Sequence, residues 1–577
     1  MPQLYFHLRG KLPNTPFHHQ PSLRWTPKPR RLNRVTSHSA PDTAKDQPRS
    51  RLTAAWTRRR RYAPRFPSAA HPHAPHALQW SRYDTISTAI ITIAAFLMRA
   101  IGITSATSAH TPVFDEKHYV PQAWDMVESW INPITGGIES NPGYGLVVHP
   151  PLAKQLIAYG EALFGYTPLG WRAVTALCGT LTIVAIMALT RRLTLSSRAA
   201  TLAGIIALFD GVLLVTSRFG MLDIIQVLFI VTAAWTLCRD HQQVYACMYN
   251  AWSQKLLDTD LGPRIGFRWW RFATGVFLGC AVSVKWSGLY YIMFFGILAV
   301  ALDAWRRRIF GARNATLGML LKDAFPAFAS LVLVPLAVYT WSWRAWFASE
   351  TSVFRHAVAT GDVADNSILR LFPDAVASWL YYHAEVLEFH ASLTSSSGHS
   401  HPWDSKPWSW LAATRPILYY SSTDISCAFG SCRRMIYLFG TPAIWWLTVP
   451  VVCWALWEMI IRRRAEYLIP WVSFMAGFLP WLASYDRQMY FFYATALVPF
   501  TIVMLAITLN RLMDAGAYRR LRPAAFWKGR VFPTGRILAI CYLAVVIAMF
   551  FYFSPLLYGF VIPDAWFNAM MWLPSWR

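Results

Sequence analysis

The chain contains repeated apolar runs, most of them long enough to cross a lipid bilayer as a helix. A transmembrane helix needs about 20 predominantly apolar residues. The candidate runs, of which the fifth is short, cover residues 85–105, 168–190, 199–217, 220–238, 272–285, 287–304, 324–343, 440–461, 465–483, 490–509 and 536–553. Composition agrees, because 55% of residues are hydrophobic and only 14% are charged, whereas soluble domains carry about 25% charged residues. The sequence predicts an all-α polytopic membrane protein with about 11 transmembrane helices, and it excludes an ordinary soluble enzyme.

The net charge of +25 is concentrated at the N-terminus. Residues 1–83 hold sixteen Lys and Arg against two Asp, which gives +14 and leaves 25 − 14 = +11 for residues 84–577. A Pro- and Arg-rich segment of this kind cannot bury enough apolar surface to fold. We therefore predict a disordered basic cytoplasmic tail at 1–83, with attraction to anionic lipid as its functional alternative, and a transmembrane domain at 84–577. No nucleic-acid partner is expected.

Basic residues cluster in alternate connections between the apolar runs. The clusters are Arg191, Arg192 and Arg198; Arg306–Arg308; Arg462–Arg464; and Arg519, Arg520, Arg522, Lys528 and Arg530. Such clusters mark the cytoplasmic side of a membrane. The pattern predicts a multi-pass membrane protein with its N-terminus in the cytoplasm and its C-terminus outside. Two long segments then lie outside: loop A (residues 106–167) and loop B (residues 344–439).

Loop A contains two adjacent carboxylates, Asp115 and Glu116, followed by an apolar face at helical spacing. A second amphipathic segment starts at His149-Pro150-Pro151, since proline favours the first helical turn. Both segments are expected to be interfacial helices. Taken alone, the two acids could be a solvated helix N-cap and His149 a capping or packing residue. In loop B, Cys427 and Cys432 could form a disulfide.

Ionisable residues recur at the predicted outer ends of the apolar runs. They are Arg172, Arg218, Asp223, Lys285, Asp486 and Arg487. Any one of them could be a snorkelling side chain, and Arg218 with Asp223 could form a structural ion pair. Because charges at membrane depth are costly, their gathering suggests a function. Cations could hold a phosphate carried on a lipid while a carboxylate activates an acceptor.

Eight short sequence motifs follow one another along the chain. They are Phe114-Asp115-Glu116, His149 to Lys154, Trp171 to Val174, Cys178 to Leu181, Ser217 to Asp223, Lys285 to Leu289, His401 to Ser405 and Trp408 to Trp410. Together they resemble the protein O-mannosyltransferases of the dolichyl-phosphate-mannose type, in the GT-C glycosyltransferase superfamily. The resemblance extends from about residue 85 to residue 553. Loop B, with about 96 residues (440 − 344), is too short for the repeated β-trefoil modules of eukaryotic members, so the chain is similar to bacterial, especially actinobacterial, members.

The resemblance implies a GT-C fold and an inverting transfer of mannose from polyprenyl-phosphate-mannose to Ser or Thr of secreted proteins. The transfer would take place during or after translocation, on the outer face of the plasma membrane. Asp115 would take the acceptor proton, and Glu116 would orient the acceptor peptide. Arg172 would bind the donor phosphate or support the carboxylates, with Lys285, Arg487 and His149 as further phosphate ligands. The acceptor candidates in loop B are Trp403, Asp404 and Trp408. No divalent metal is expected, because cationic side chains can compensate the phosphate charge.

Other classes of protein share parts of this pattern. Another GT-C transferase, such as a lipid-A aminoarabinose transferase, would use the same architecture and a lipid-phosphate donor but would modify a lipid. A transporter would place its charges near the bilayer midplane and often shows repeated halves. A scaffold protein would not need the carboxylates and cations. The motifs of loops A and B favour a protein acceptor.

Overall fold

The computed structural model describes residues 72–577, apart from 108–109, 141–145, 256, 258–259, 429 and 521–530. Most of the predicted basic tail therefore lies outside the described residues, and so do Arg522, Lys528 and Arg530 of the last basic cluster. Residues 72–80 belong to no helix or strand, and the carbonyls of His73 and Gln79 accept hydrogen bonds from the side chains of Tyr245 and Arg191.

The described chain is mainly helical. The principal helices are α1 (Arg82–Ala100), α2 (Glu116–Glu128), α3 (Leu152–Phe164), α4 (Pro168–Thr194), α5 (Ser197–Leu208), α6 (Gly211–Thr216), α7 (Asp223–Ser253), α8 (Trp269–Val282), α9 (Gly288–Ile309), α10 (Ala315–Ser342), α11 (Arg344–Ala348), α12 (Asp374–Ser392), α13 (Pro407–Trp410), α14 (Pro442–Ile460), α15 (Leu468–Ala483), α16 (Val498–Leu512), α17 (Thr534–Tyr558) and α18 (Asp564–Met570). Helix α10 includes two π-helical stretches, and a 3-10 helix at Phe491–Ala496 leads into α16.

Every apolar run predicted from the sequence overlaps a helical segment. Among the described residues, five helices are long and apolar enough to cross a membrane: α4, α9, α10, α14 and α17. Two shorter apolar helices are α5 and α16. The polytopic, mainly helical architecture is therefore confirmed, whereas the count of 11 passes stays a prediction. The two amphipathic segments of loop A form α2 and α3, and their place at the membrane interface also stays a prediction.

Loop B contributes a small sheet, which the all-α expectation did not include. Strands β1 (Ile417–Cys427) and β2 (Gly430–Leu438) form an antiparallel hairpin, and a later strand at Val561–Pro563 pairs with the other edge of β2. A disulfide joins Cys427 and Cys432 at the end of this hairpin. The sheet packs against the core through Tyr419, which is 4% exposed.

The basic cluster Arg306–Arg308 is partly buried in ion pairs. Asp303 accepts hydrogen bonds from Arg306 and, at 2.8 Å, from Arg268. Arg307 donates to Asp323 through its Nε at 2.6 Å. Because buried charges need partners, these contacts fasten the ends of α8, α9 and α10 to one another.

Candidate active site

A cavity of about 580 Å³ lies between loop A, loop B and the ends of several core helices. Aromatic side chains make up much of its wall. The charged and histidine groups that line it include Asp115, Asp223, Lys285, Arg487, His149 and His390. The structure thus brings together five residues that the sequence singled out, from positions up to 372 apart (487 − 115), and it adds His390.

Backbone geometry directs Asp115 into the cavity. Phe114 has a φ of +55°, in the left-handed region, and α2 begins two residues later at Glu116. The Phe114 ring stacks on Tyr419 of β1, with ring centroids 4.2 Å apart. A non-glycine residue in this conformation is strained and is held by its surroundings, a feature that is typical of functional sites. The stacking of Phe114 therefore supports the turn that presents Asp115.

Glu116 points away from the cavity and is fully buried. Its Oε1 accepts hydrogen bonds from Arg172 Nε and the Gly220 amide, both at 2.7 Å. Its Oε2 accepts from Arg172 Nη2 at 2.7 Å and from the Val113 amide at 3.1 Å. With four donors bound, Glu116 has no position left for an acceptor peptide. The predicted peptide-orienting role does not fit this geometry.

Arg172 also stays outside the cavity. Besides Glu116, it donates to the carbonyls of Ile103 and Ala106 at 2.8 Å, and its guanidinium lies over the Phe219 ring. It is 1% exposed, so a phosphate could not reach it without unfolding loop A. Of its two predicted roles, the geometry favours support of the carboxylate segment and does not fit donor-phosphate binding.

The surroundings of Asp115 favour its neutral form. Burial raises the pKa of the Asp115 carboxyl to about 6, with a smaller raising effect from Asp223 and a lowering effect from Lys285. Within the described part of the chain, no side chain donates a hydrogen bond to this carboxylate. A carboxyl group with a pKa near neutral is both ionised at physiological pH and basic enough to accept a proton.

The raised pKa predicts how the rate depends on pH. The predicted role of Asp115 as a base requires its ionised form, so kcat/KM should fall by about tenfold per pH unit below about 6 and level off above it. The measurement is the pH profile of the wild-type enzyme. His118→Gln is the matched control, because His118 lines the same cavity; a midpoint that disappears in this variant would assign the titration to His118 instead.

Lys285 and Asp223 form an ion pair in the cavity wall. Lys285 lies in the turn between α8 and α9, and its Nζ donates to Asp223 Oδ1 at 2.8 Å. The described contacts use one of the three N–H donors of the ammonium group. The sequence left open a structural ion pair between Asp223 and Arg218, and the structure pairs Asp223 with Lys285 instead. Arg218 instead donates to main-chain carbonyls that include those of Arg99 and Gly102.

Arg487 is positioned by loop B. Its backbone pairs with Thr394 in an isolated antiparallel bridge, and its carbonyl accepts a hydrogen bond from Lys406 Nζ at 2.9 Å. The guanidinium bonds through Nη2 to His390 Nδ1 at 2.9 Å. Within the described part of the chain, its buried Nε has no hydrogen-bond partner. Arg487 therefore brings a positive charge to the wall of the cavity and keeps one donor unpaired.

The three acceptor candidates of loop B do not line the cavity. Asp404 Oδ1 accepts a hydrogen bond from the Met489 amide at 2.9 Å, two residues from Arg487. Trp403 packs against Tyr437 of β2, and the exposed Trp408 stacks on Tyr485. The string around Asp404 thus fixes the segment that carries Arg487 and does not form the cavity wall.

Two histidines in the cavity are held neutral. Burial lowers the pKa of His149 well below its usual value, with further lowering from Lys285 and His390. Burial, Arg487 and Lys285 lower the pKa of His390 to about 4. At neutral pH both imidazoles can therefore donate and accept hydrogen bonds, but they add no positive charge. His149 is a weaker phosphate candidate than Lys285 and Arg487.

Across the described ranges, no three His, Cys, Asp or Glu side chains come together as a metal site. Asp115 and Asp223 share the cavity, but a hard divalent cation wants about six oxygen ligands. The absence of a metal from the reaction stays a prediction.

Known protein families match most of the chain. Residues 169–347 match a family model described as dolichyl-phosphate-mannose-protein mannosyltransferase, and residues 375–576 match the C-terminal four-transmembrane region of protein-O-mannosyltransferase. A polyprenol-phosphate-mannose–protein mannosyltransferase of Corynebacterium glutamicum is 62% identical over 88% of this chain and 96% of its own length. One of Mycolicibacterium smegmatis is 44% identical over 85% and 92%.

The fold is similar to that of a solved complex. One chain of the Saccharomyces cerevisiae protein O-mannosyltransferase Pmt1–Pmt2 complex, bound to the sugar donor, matches with a TM-score of 0.62. The match covers 86% of this chain and 93% of the yeast chain at 14% sequence identity. This likeness confirms the GT-C architecture.

Proposed function

The chain belongs to the polyprenol-phosphate-mannose–protein mannosyltransferases, and from this premise we propose that it transfers mannose from polyprenyl-phosphate-mannose to Ser or Thr hydroxyls of secreted polypeptides. The observation that carries the proposal is that Asp115, Lys285 and Arg487 line one cavity. Transfer of a sugar from a phosphate to a hydroxyl is helped by a base that accepts the hydroxyl proton and by cations that stabilise the departing phosphate.

The first half of the chemistry is removal of the acceptor proton. The Ser or Thr oxygen attacks the anomeric carbon of mannose, and Asp115 accepts the hydroxyl proton as that bond forms. The raised pKa of Asp115 makes it a better base than an exposed aspartate. Attack on the face opposite to the phosphate inverts the anomeric centre, as the family resemblance implies.

The second half is departure of the phosphate. The bond between the anomeric carbon and the phosphate oxygen breaks, and its electron pair leaves with polyprenyl phosphate. Arg487 offers its guanidinium, which lines the cavity, and Lys285 offers the donors that Asp223 leaves free. Cations placed where charge develops commonly contribute about 10²–10³ in rate. The aromatic walls accommodate the sugar and the start of the lipid.

We expect the reaction to need no divalent metal, since the leaving group is a phosphate whose charge Lys285 and Arg487 balance. Purified enzyme treated with EDTA should retain its full rate, and added Mg²⁺ or Mn²⁺ should not increase it. Loss of activity with EDTA that either ion restores would contradict this assignment and would make Asp115 and Asp223 candidate metal ligands.

The site is proposed to face the outside of the plasma membrane, with the N-terminus in the cytoplasm and the C-terminus outside. The support is the basic bias of the connections near Arg306–Arg308. Single-cysteine variants Ser397→Cys in loop B and Asn314→Cys before α10 test this in intact cells, with exposed native cysteines replaced by serine. A membrane-impermeant thiol reagent should label position 397 only. Labelling of position 314 alone would invert the topology.

The direct test of the function uses solubilised membranes. Labelled polyprenyl-phosphate-mannose is supplied with a Ser/Thr-rich peptide, and the same peptide with every Ser and Thr replaced by Ala is the control. Label should enter only the hydroxyl-bearing peptide. Label recovered in a lipid product, with none in peptide, would favour a lipid acceptor as in the aminoarabinose transferases.

A further inference from the structure

Asp223 has one carboxylate oxygen that nothing in the described part of the chain satisfies. It is the first residue of α7, it lines the cavity, and it is 5% exposed. Its Oδ1 accepts from Lys285 Nζ, but its Oδ2 is buried without a hydrogen-bond partner. Buried carboxylate oxygens are almost always hydrogen-bonded, because leaving one unpaired is costly. A donor that arrives with the substrate would remove this cost.

The neighbouring polar side chain cannot supply that donor. Gln226 lies one turn further along α7 and also lines the cavity. Its Nε2 donates to the carbonyls of Ala281 and Lys285, at 3.1 Å and 2.9 Å, and its Oε1 accepts from Ser287. Because both N–H groups of this amide are used, Gln226 cannot donate to Asp223 Oδ2, which stays unpaired among the described residues.

We propose that Asp223 Oδ2 accepts a hydrogen bond from a hydroxyl of the donor mannose, which makes Asp223 a sugar-recognition residue. The inference rests on the proposed function. Lys285, the cation assigned to the phosphate, is bound to the same carboxylate. In the donor, a single oxygen joins phosphate and sugar, so a phosphate at Lys285 places the sugar beside Asp223. The acceptor hydroxyl is already engaged by Asp115.

The chemistry of a carboxylate suits this role. A carboxylate accepts hydrogen bonds from hydroxyls in charge-assisted form, which are stronger than neutral ones. A site built to bind a substrate hydroxyl discriminates strongly against an analogue that lacks it, because the buried group is then left unpaired. Asp223 would therefore select the sugar, while Lys285 and Arg487 select the phosphate.

The test uses donors that each lack one free sugar hydroxyl. For each enzyme, kcat/KM is measured with every deoxy donor and divided by the value for the complete donor. In the wild type, one analogue should be used at least about tenfold less well. In Asp223→Ala the same ratio should return to near one. Any general loss caused by freeing Lys285 cancels in this ratio. Asp564→Asn, which removes a carboxylate paired with Arg433 outside the cavity, should keep the wild-type ratios.

Three results would overturn the proposal. One is a wild type that uses every deoxy donor about as well as the complete donor, which would mean that water satisfies Asp223. Another is an Asp223→Ala enzyme that keeps the wild-type ratios. The third concerns the acceptor peptide. If N-methylation of its backbone amides lowers kcat/KM in the wild type but not in Asp223→Ala, Asp223 binds the peptide and not the sugar. If Asp223→Ala does not turn over, displacement of a fluorescent polyprenyl phosphate by the same donors gives the ratios as binding, with Asp223→Asn as the second variant. Failure of the wild type to transfer mannose at all would refute the proposed function itself.

Discussion

Replacement of Asp115 by Asn should lower mannose transfer by about 10²–10⁴-fold, the usual contribution of a general base. The protein should remain folded. Asp115 accepts no hydrogen bond from the described side chains, and its charge is partly desolvated. Substitution by a neutral amide of the same shape therefore removes the cost of burying a charge and breaks no side-chain hydrogen bond, although the attraction to Lys285 is lost. The measurements are turnover with labelled donor and thermal unfolding in detergent.

Asp125→Asn is the matched control for this variant. Asp125 lies on α2 as well, but its carboxylate bonds to Ser140 and does not line the cavity. Its activity should stay within a few-fold of the wild type. Near-normal turnover by a well-folded Asp115→Asn enzyme would show that another group takes the acceptor proton.

Loss of Arg172 should destabilise the protein as well as inactivate it. Arg172→Ala leaves Glu116 buried with its charge uncompensated, and breaking a buried ion pair in this way costs about 3–5 kcal/mol. The turn that presents Asp115 would lose its anchor, so turnover should fall together with the unfolding temperature. Glu116→Ala should produce the same pair of losses.

Arg487→Ala tests phosphate binding separately from the structural role of Arg172. Arg487 lines the cavity, and among the described side chains its guanidinium forms a hydrogen bond with His390 only. Its removal should raise the donor KM or lower kcat while leaving the unfolding temperature nearly unchanged. A stable Arg172→Ala enzyme with weakened donor use would restore the phosphate-binding assignment and contradict the structural one.

The sequence predicts where the helices and several of the site residues lie, but not which side chains these residues contact. Apolar runs and ordered motifs depend on local composition, so the helices and the gathering of Asp115, Lys285 and Arg487 were foreseeable. Asp115 and Glu116 are adjacent, and the start of a helix turns neighbouring side chains about 100° apart. One therefore faces the cavity and the other faces Arg172, a choice that depends on tertiary packing.

Contacts between distant segments account for the other differences between the sequence-based expectations and the structure. Asp223 bonds to Lys285 and not to nearby Arg218, because the turn after α6 directs Arg218 toward the carbonyls at the end of α1. The length and motifs of loop B do not predict its hairpin. Its strands alternate only weakly, since Tyr419 lies at an irregularity in the β1 register and packs on Phe114.

The most direct test of the account is a cryo-electron microscopy map of the enzyme with a non-hydrolysable phosphonate analogue of the donor and a Thr-containing peptide. The account predicts the phosphonate oxygens within hydrogen-bonding distance of Arg487 and Lys285, and the Thr hydroxyl within about 3 Å of Asp115. A phosphonate bound elsewhere, or a Thr hydroxyl far from Asp115 while the analogue occupies the cavity, would contradict it.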